Sequence, residues 1–111
     1  ERHAMRLVLG GISFPTIYAA AHHCRKILHD PTRTYNDTVT GEEALFLAAL
    51  IEGHPSKAEK VGTGIDRFII MHTGHRADNR GFGIVRRDGS RVDFSYKVAL
   101  QGHVLLQKEA A

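Results

Sequence analysis

The segment VRRDGSRVDFSY, residues 85–96, constrains the fold more than any other stretch of this chain. Asp88-Gly89 separates two short runs rich in β-branched and aromatic residues, the pattern of an antiparallel hairpin closed by a two-residue type I′ turn. That turn sets a register: Arg87 faces Ser90, Arg86 faces Arg91, Val85 faces Val92, Ile84 faces Asp93 and Phe82 faces Ser95. Side chains alternate between faces along a strand. Val85, Val92, Phe94 and Tyr96 are then expected on a core face, and Phe82 and Ile84 on the other with Arg86, Arg91, Asp93 and Ser95. Like charges directly opposite one another are unfavourable, so Arg86 against Arg91 calls for Asp93 as an internal partner or for an anionic ligand outside.

The remaining elements follow from periodicity and punctuation. Residues 5–14 read as two short extended pieces around Gly10-Gly11. Thr16 is placed to cap a helix in which Ile17, Ala20, Ala21, Cys24, Ile27 and Leu28 form one apolar stripe, ended by Pro31. A polar loop leads to Thr40-Gly-Glu-Glu43, a capping box opening an apolar helix to about Glu52, which Gly53 and Pro55 stop. Residues 56–64 read as a flexible connector. A strand over 65–72, a polar loop over 73–80 and the hairpin come next. The tail is expected to hold one helical turn near Lys97–Leu100 and a last strand over His103–Gln107. The sum is a single α+β domain over 1–111, two helices packed on one face of a small, mainly antiparallel sheet.

A chain of 111 residues suits one modest core and is too short for two lobes around an interlobe active site. No apolar run approaches the roughly 18–20 residues that span a bilayer, and the first residues lack the pattern of a signal peptide. One cysteine, Cys24, excludes an internal disulfide and suits a reducing compartment. A cytoplasmic setting without membrane contact is therefore expected. The net charge of +3 is uneven. Residues 1–53 hold five Lys/Arg against six Asp/Glu, a sum of −1, whereas residues 54–111 hold ten against six, a sum of +4. A basic half is the electrostatic footprint of a nucleic-acid binder or, equally, ordinary solubilising charge.

Read together, GHPSKAEKVGTGIDRF and NRGFGIVRRDGSRVDFSYK resemble the DeCL domain, the family of the plant "defective chloroplasts and leaves" protein. The matching positions are His54 and Pro55; Lys60, Val61, Gly62, Gly64 and Ile65; Phe68; Arg80 and Phe82; Val85, Arg86, Asp88 and Gly89; and Asp93, Phe94, Ser95 and Tyr96. Val61 stands where the family usually has Ile, and Gly81 and Gly83 flank Phe82 where bulkier residues are common. The resemblance implies work on nucleic acid: plant members are tied to chloroplast ribosomal RNA maturation, a related domain ends the largest subunit of a plant RNA polymerase, and bacterial relatives stand alone or beside nuclease domains. It supplies no set of catalytic residues.

Arg86, Arg91, Asp93 and Ser95, extended by Arg80 and Lys60, form the leading candidate patch. Guanidinium forks match phosphate geometry, and Phe82 beside them offers a base a ring to stack on. The structural alternative is an Arg–Asp pair that pins the hairpin. Lys60-Val-Gly-Thr-Gly64 has the glycines of a phosphate loop but lacks the full Walker pattern and leads into a strand, which favours a connector. His22, His23 and Cys24 point in three directions from one helix, and His54, His72 and His75 could meet only through the fold, so no metal or cofactor is expected. A Cys24–His dyad or a Ser95–Asp93–His triad would need similar luck, so no catalysis is expected either. The resulting expectation is a non-catalytic accessory module that binds nucleic acid, RNA ahead of DNA, through Lys60, Arg76, Arg80, Phe82, Arg86 and Arg91. The rivals are a protein-interaction module docking through Phe82 and Ile84 on a polymerase, ribosome or nuclease subunit, and a metal-dependent nuclease.

Overall fold

The computed structural model describes residues 6–74 and 79–110. The chain runs β1 (Leu7–Leu9), β2 (Ile12–Phe14), α1 (Ile17–Leu28), β3 (Thr38–Val39), α2 (Gly41–Ile51), α3 (Lys57–Val61), β4 (Ile65–His72), β5 (Arg80–Arg86), β6 (Arg91–Phe94) and α4 (Tyr96–Ala110). β1 and β2 form a separate antiparallel pair, and the main sheet is antiparallel in the order β3-β4-β5-β6. The fold is α+β, with helices over one face of the main sheet.

α1 forms where the apolar stripe and cap place it. The Thr16 hydroxyl accepts from the Ala19 amide at 3.1 Å, and Ala20, Cys24, Ile27 and Leu28 are buried. The same burial pushes the Cys24 thiol up to about 12, so it stays protonated at neutral pH and is no nucleophile. α2 also forms, but without the capping box: the Thr40 side chain makes no cap bond, and the Glu43 carboxylate is engaged by Arg33. A charged guanidinium is a stronger partner for a carboxylate than a neutral amide.

Two segments differ from the sequence reading. Lys57–Val61 is helical, because Lys-Ala-Glu-Lys are good helix formers and outweigh the flanking glycines. The tail is one fifteen-residue helix, α4, with neither the single turn nor the strand. Gly102 interrupts its helical pattern for a packing reason: a Cβ there would stand 1.6 Å from the Gly53 carbonyl oxygen at the end of α2. A Cβ on Gly53 would meet the His103 ring at 2.4 Å.

The hairpin register is corrected by one residue. Val85 pairs with Arg91, Ile84 with Val92, Gly83 with Asp93 and Phe82 with Phe94. A type I′ turn needs positive φ at both central residues, yet only Gly89 takes it, at +88°. Asp88 instead holds Ser90 through its carboxylate, at 2.9 Å to the amide and 2.6 Å to the hydroxyl. The Gly89 amide donates to the Arg86 carbonyl and the Arg86 amide to the Ser90 carbonyl, closing a three-residue loop over Arg87, Asp88 and Gly89. A one-residue slip turns every β6 side chain over. Phe82, Ile84 and Phe94 therefore share the helix-covered core with Phe68, Ile70, Phe46 and Leu50, and Arg91 and Asp93 join Val85 on the opposite face. On that face Gly83 lies beneath Met71 and Ile69, and Gly81 beneath Thr73.

Candidate nucleic-acid interface

Arg80 and Arg86 are spent on backbone, whereas the exposed Arg87 side chain has no hydrogen-bond or ion-pair partner among the described residues. Arg86 donates from Nε to the Lys60 carbonyl and from Nη2 to the Glu59 carbonyl, both at 3.0 Å, and from Nη1 to Ser90 Oγ at 3.0 Å. These are the open carbonyls at the end of α3, which a helix leaves without internal donors. Arg80 donates from Nη1 to the Leu28 and Asp30 carbonyls at 2.8 and 3.1 Å and from Nη2 to the Arg33 carbonyl at 2.8 Å, with its guanidinium 5.7 Å from the Tyr35 ring centre. It ties the end of α1 to β5. Arg91 lies on the other face, where its Nη1 reaches Asn36 Oδ1 at 2.8 Å across β5 and β4. Phe82 is fully buried, stacked on Phe94 and edge-on to Tyr96. No base can stack on it, and Phe82 and Ile84 cannot anchor a partner protein.

Arg80, Phe82, Arg86 and Arg91 thus do not make one surface. Among the described residues Asp93 forms no ion pair with either hairpin arginine, since it stands opposite Gly83. Lys60 is half-buried, and its ammonium has no partner among the described residues. Arg76 and His75 lie outside the described residues. The other motif positions organise the fold. His54 is buried, accepts from the Ser56 amide through Nδ1 at 3.0 Å and packs edge-on to Phe94; Pro55 beside it is exposed. Gly62 and Gly64 make room for the Arg86 and Arg87 side chains, which pass 2.8 and 2.9 Å from where a Cβ would stand. Ser95 caps α4, accepting from the Val98 amide at 3.3 Å. Asp93, Phe94, Ser95 and Tyr96 also line a cleft of about 280 Å³ with Thr73, Arg80, Gly81 and Lys97. No group of three metal-ligating side chains gathers among the described residues.

Two histidines make the domain acid-sensitive. Burial lowers the pKa of His23, whose Nε2 is enclosed among Phe14 and Phe46 with no hydrogen-bond partner among the described residues; nearby Glu43 opposes that shift, and Lys26 and His22 add to it. Burial and then Lys60 lower that of His54. The unfolded chain therefore binds more protons than the folded one below about 6.5. Stability is full above that value and declines as the pH falls through it toward the lowered folded values. The urea midpoint is expected to drop between pH 7.5 and 5.5, and His23→Phe to flatten that slope; an unchanged midpoint would contradict the assignment.

Most of the unpartnered positive charge among the described residues sits on α1 and α4. α1 has no carboxylate between Ile17 and Leu28, and α4 none between Tyr96 and Lys108. Arg25, Lys26, Lys97 and Lys108 are exposed there, without a hydrogen-bond or ion-pair partner among the described residues. Elsewhere several cations are matched, Arg33 with Glu43, Lys57 with Glu52 at 2.7 Å and Arg67 with Asp66 at 2.6 Å, while Lys60 and Arg87 are not. Between α1 and α4 runs a groove of about 240 Å³ lined by Ile17, Tyr18, Ala21, Arg25, Lys97, Leu100 and Gln101. Sequence reasoning passed over these residues. The signal was available in the absence of Asp and Glu from 17–29 and from 94–108.

Residues 25–100 match the family described as "Protein of unknown function (DUF3223)". The chain is 30% identical over 82 residues to DNA-directed RNA polymerase V subunit 1 of Arabidopsis thaliana, a match covering 73% of this chain and 4% of that protein. It is 35% identical over 79 residues to Protein DCL homolog, chloroplastic, of Arabidopsis thaliana and 32% identical over 79 residues to Protein DCL, chloroplastic, of Solanum lycopersicum. Those matches cover 70% of this chain and 36% and 35% of the two relatives, so the chain spans about a third of each or less. The solution NMR structure of an uncharacterized protein from Rhodospirillum rubrum superposes with a TM-score of 0.74 at 24% identity, covering 89% of both chains, which establishes the shared fold. No helix among the described residues is long and apolar enough to cross a membrane. By its matched residues and the motif from His54 to Tyr96, the chain belongs to the DUF3223 family, that of the DeCL domain.

Proposed function

We propose that this chain is a non-catalytic, nucleic-acid-binding accessory domain, acting on RNA ahead of DNA, which holds the phosphate backbone on the α1/α4 face. The observation that carries the reading is the pair of helix stretches, Ile17–Leu28 and Tyr96–Lys108, that hold no carboxylate and bear Arg25, Lys26, Lys97 and Lys108 without protein partners among the described residues. Unpaired cations that outnumber the nearby carboxylates, of which Asp30 lies beside Arg25 and Lys26, set up the positive field that draws a polyanion, and each phosphate contact releases a condensed counterion. Among the described members of the sequence-derived patch, Lys60 keeps its ammonium without a partner. Arg80 and Arg86 act instead as internal braces.

Support comes also from the relatives: one is by name a subunit of an RNA polymerase, of which the matched segment is 4%. So small a share suits an accessory module within a larger assembly. It also suits the second reading, a protein-docking module, whose apolar anchors would be the exposed Val98 and Leu105 of α4.

Binding of fluorescent single-stranded RNA across a salt series separates the two. The log–log slope for Arg25→Ala/Lys26→Ala/Lys97→Ala is expected to be shallower than wild type by about 2, at about 0.7 per single-strand phosphate contact. Arg86→Ala, assayed where it is folded, is expected to keep the wild-type slope. Negligible binding at low salt, or equal slopes for wild type and the triple variant, would overturn the reading in favour of a protein partner.

A further inference from the structure

The groove between α1 and α4 has a chemistry that phosphate binding alone does not use. Its floor is apolar: Ile17 and Ala21 from α1, one turn apart, and the buried Leu100 from α4. Its rim carries Tyr18, 79% exposed, together with Arg25, Lys97 and Gln101. An aromatic ring left so open beside a hydrophobic slot contributes little to folding, and its π-face is available to a ligand. At about 240 Å³ the groove holds several waters' volume, at ~30 Å³ each, and falls below the ~300–1,000 Å³ of pockets for drug-sized ligands. That is room for one planar ring system. The Gln101 amide offers both a donor and an acceptor at the slot's edge and has no protein partner among the described residues. Arg25 and Lys97 line the same slot, so the phosphates on either side of a seated ring meet cations.

An apolar floor, a stacking ring, one amide and flanking cations are the complement of a nucleotide whose base is out of its helix. In a duplex the faces of each base are covered by its neighbours and its edge by its partner, and presenting one to a protein slot requires flipping it out. We infer that the α1/α4 groove seats one unpaired base, so that the domain selects single-stranded segments over duplex. The inference rests on the proposal that the α1/α4 face binds the phosphate backbone, and it adds the ligand class that face would choose. Stacking on aromatic side chains serves any base, because each has a π-face, so little sequence preference is expected.

The test compares three fluorescent probes of one length at one salt concentration: oligouridylate, an abasic ribose-phosphate strand and an RNA duplex. Wild type is expected to bind oligouridylate about tenfold more tightly than either of the others, the scale of one stacked base. Tyr18→Ala, at a position too exposed to unsettle the fold, is expected to erase that difference while leaving the salt slope unchanged. Equal affinity of wild type for all three probes, with a normal salt slope, would overturn the groove and leave the phosphate reading standing. A preference for oligouridylate that survives both Tyr18→Ala and Gln101→Ala would likewise overturn it. Failure of every probe to bind at low salt would remove the underlying proposal and the inference with it.

Discussion

Gly102→Ala is expected to destabilise the domain by about 3 kcal/mol, although alanine is the better helix former by ~1 kcal/mol. The added methyl would stand 1.6 Å from the Gly53 carbonyl oxygen and 2.7 Å from its carbon. Both obstacles are backbone, so relief requires α4 to retreat from α2. Retreat would break the contacts of His103, whose Nε2 lies 3.0 Å from the Ala49 carbonyl and 3.1 Å from that of Leu50 and closes the end of α2. Overpacking at the upper end of its range, ~3 kcal/mol, together with a lost hydrogen bond of ~1 kcal/mol, exceeds the propensity gain. For a domain of this size the melting temperature should fall by roughly 12 °C or more. A variant as stable as wild type would show that α2 and α4 do not meet backbone to backbone.

Arg80→Ala is expected to cost a similar amount, about 3 kcal/mol, by a different route. Three carbonyls, of Leu28, Asp30 and Arg33, lose their charged donor, and the ring of Tyr35 loses the guanidinium beside it. Hydrogen bonds to charged groups contribute ~1.5–3 kcal/mol each, less where water replaces them. Lysine is expected to restore less than half of the loss, because one ammonium cannot span three acceptors as a planar fork does. Denaturant unfolding of Arg80→Ala and Arg80→Lys checks both statements. Wild-type stability combined with lost RNA affinity would return Arg80 to the binding surface and refute its role as a brace.

Much of the fold was legible in local signals that the tertiary structure left alone. Thr16 and the stripe from Ile17 to Leu28 fix α1, and Gly10-Gly11 fixes the first hairpin. Apart from α3, where good helix formers outweighed the flanking glycines, each misreading turned on a contact with a distant segment or on a competing local bond. The tail read as one helical turn and a strand because nothing near Gly102 in the sequence reveals that Gly53 lies against it. Glu43 looked like half of a capping box because Arg33, ten residues away, is the partner that claims it. Asp88-Gly89 looked like a type I′ turn because the Asp88 carboxylate's hold on Ser90 does not show in a dipeptide.

The candidate patch was dispersed by the fold for a related reason. Arginines stand out in a sequence, whereas the backbone carbonyls that occupy Arg80 and Arg86 have no letter of their own. Cations left without partners are identified only once the fold shows which carboxylates and carbonyls lie within reach. The helical face could still have been suspected from an absence, since no Asp or Glu interrupts residues 17–29 or 94–108. That absence became a surface once the tail proved to be a single helix packed beside α1.

Titration of isotopically labelled protein with single-stranded RNA, followed by amide chemical-shift mapping, tests the central claim most directly. The account predicts perturbations concentrated on α1 from Ile17 to Leu28 and on the first turns of α4 from Tyr96 to Gln101, with the loop of Arg87, Asp88 and Gly89 unmoved. Shifts centred on that loop and on β6, with the two helices silent, would contradict it and return the nucleic acid to the hairpin.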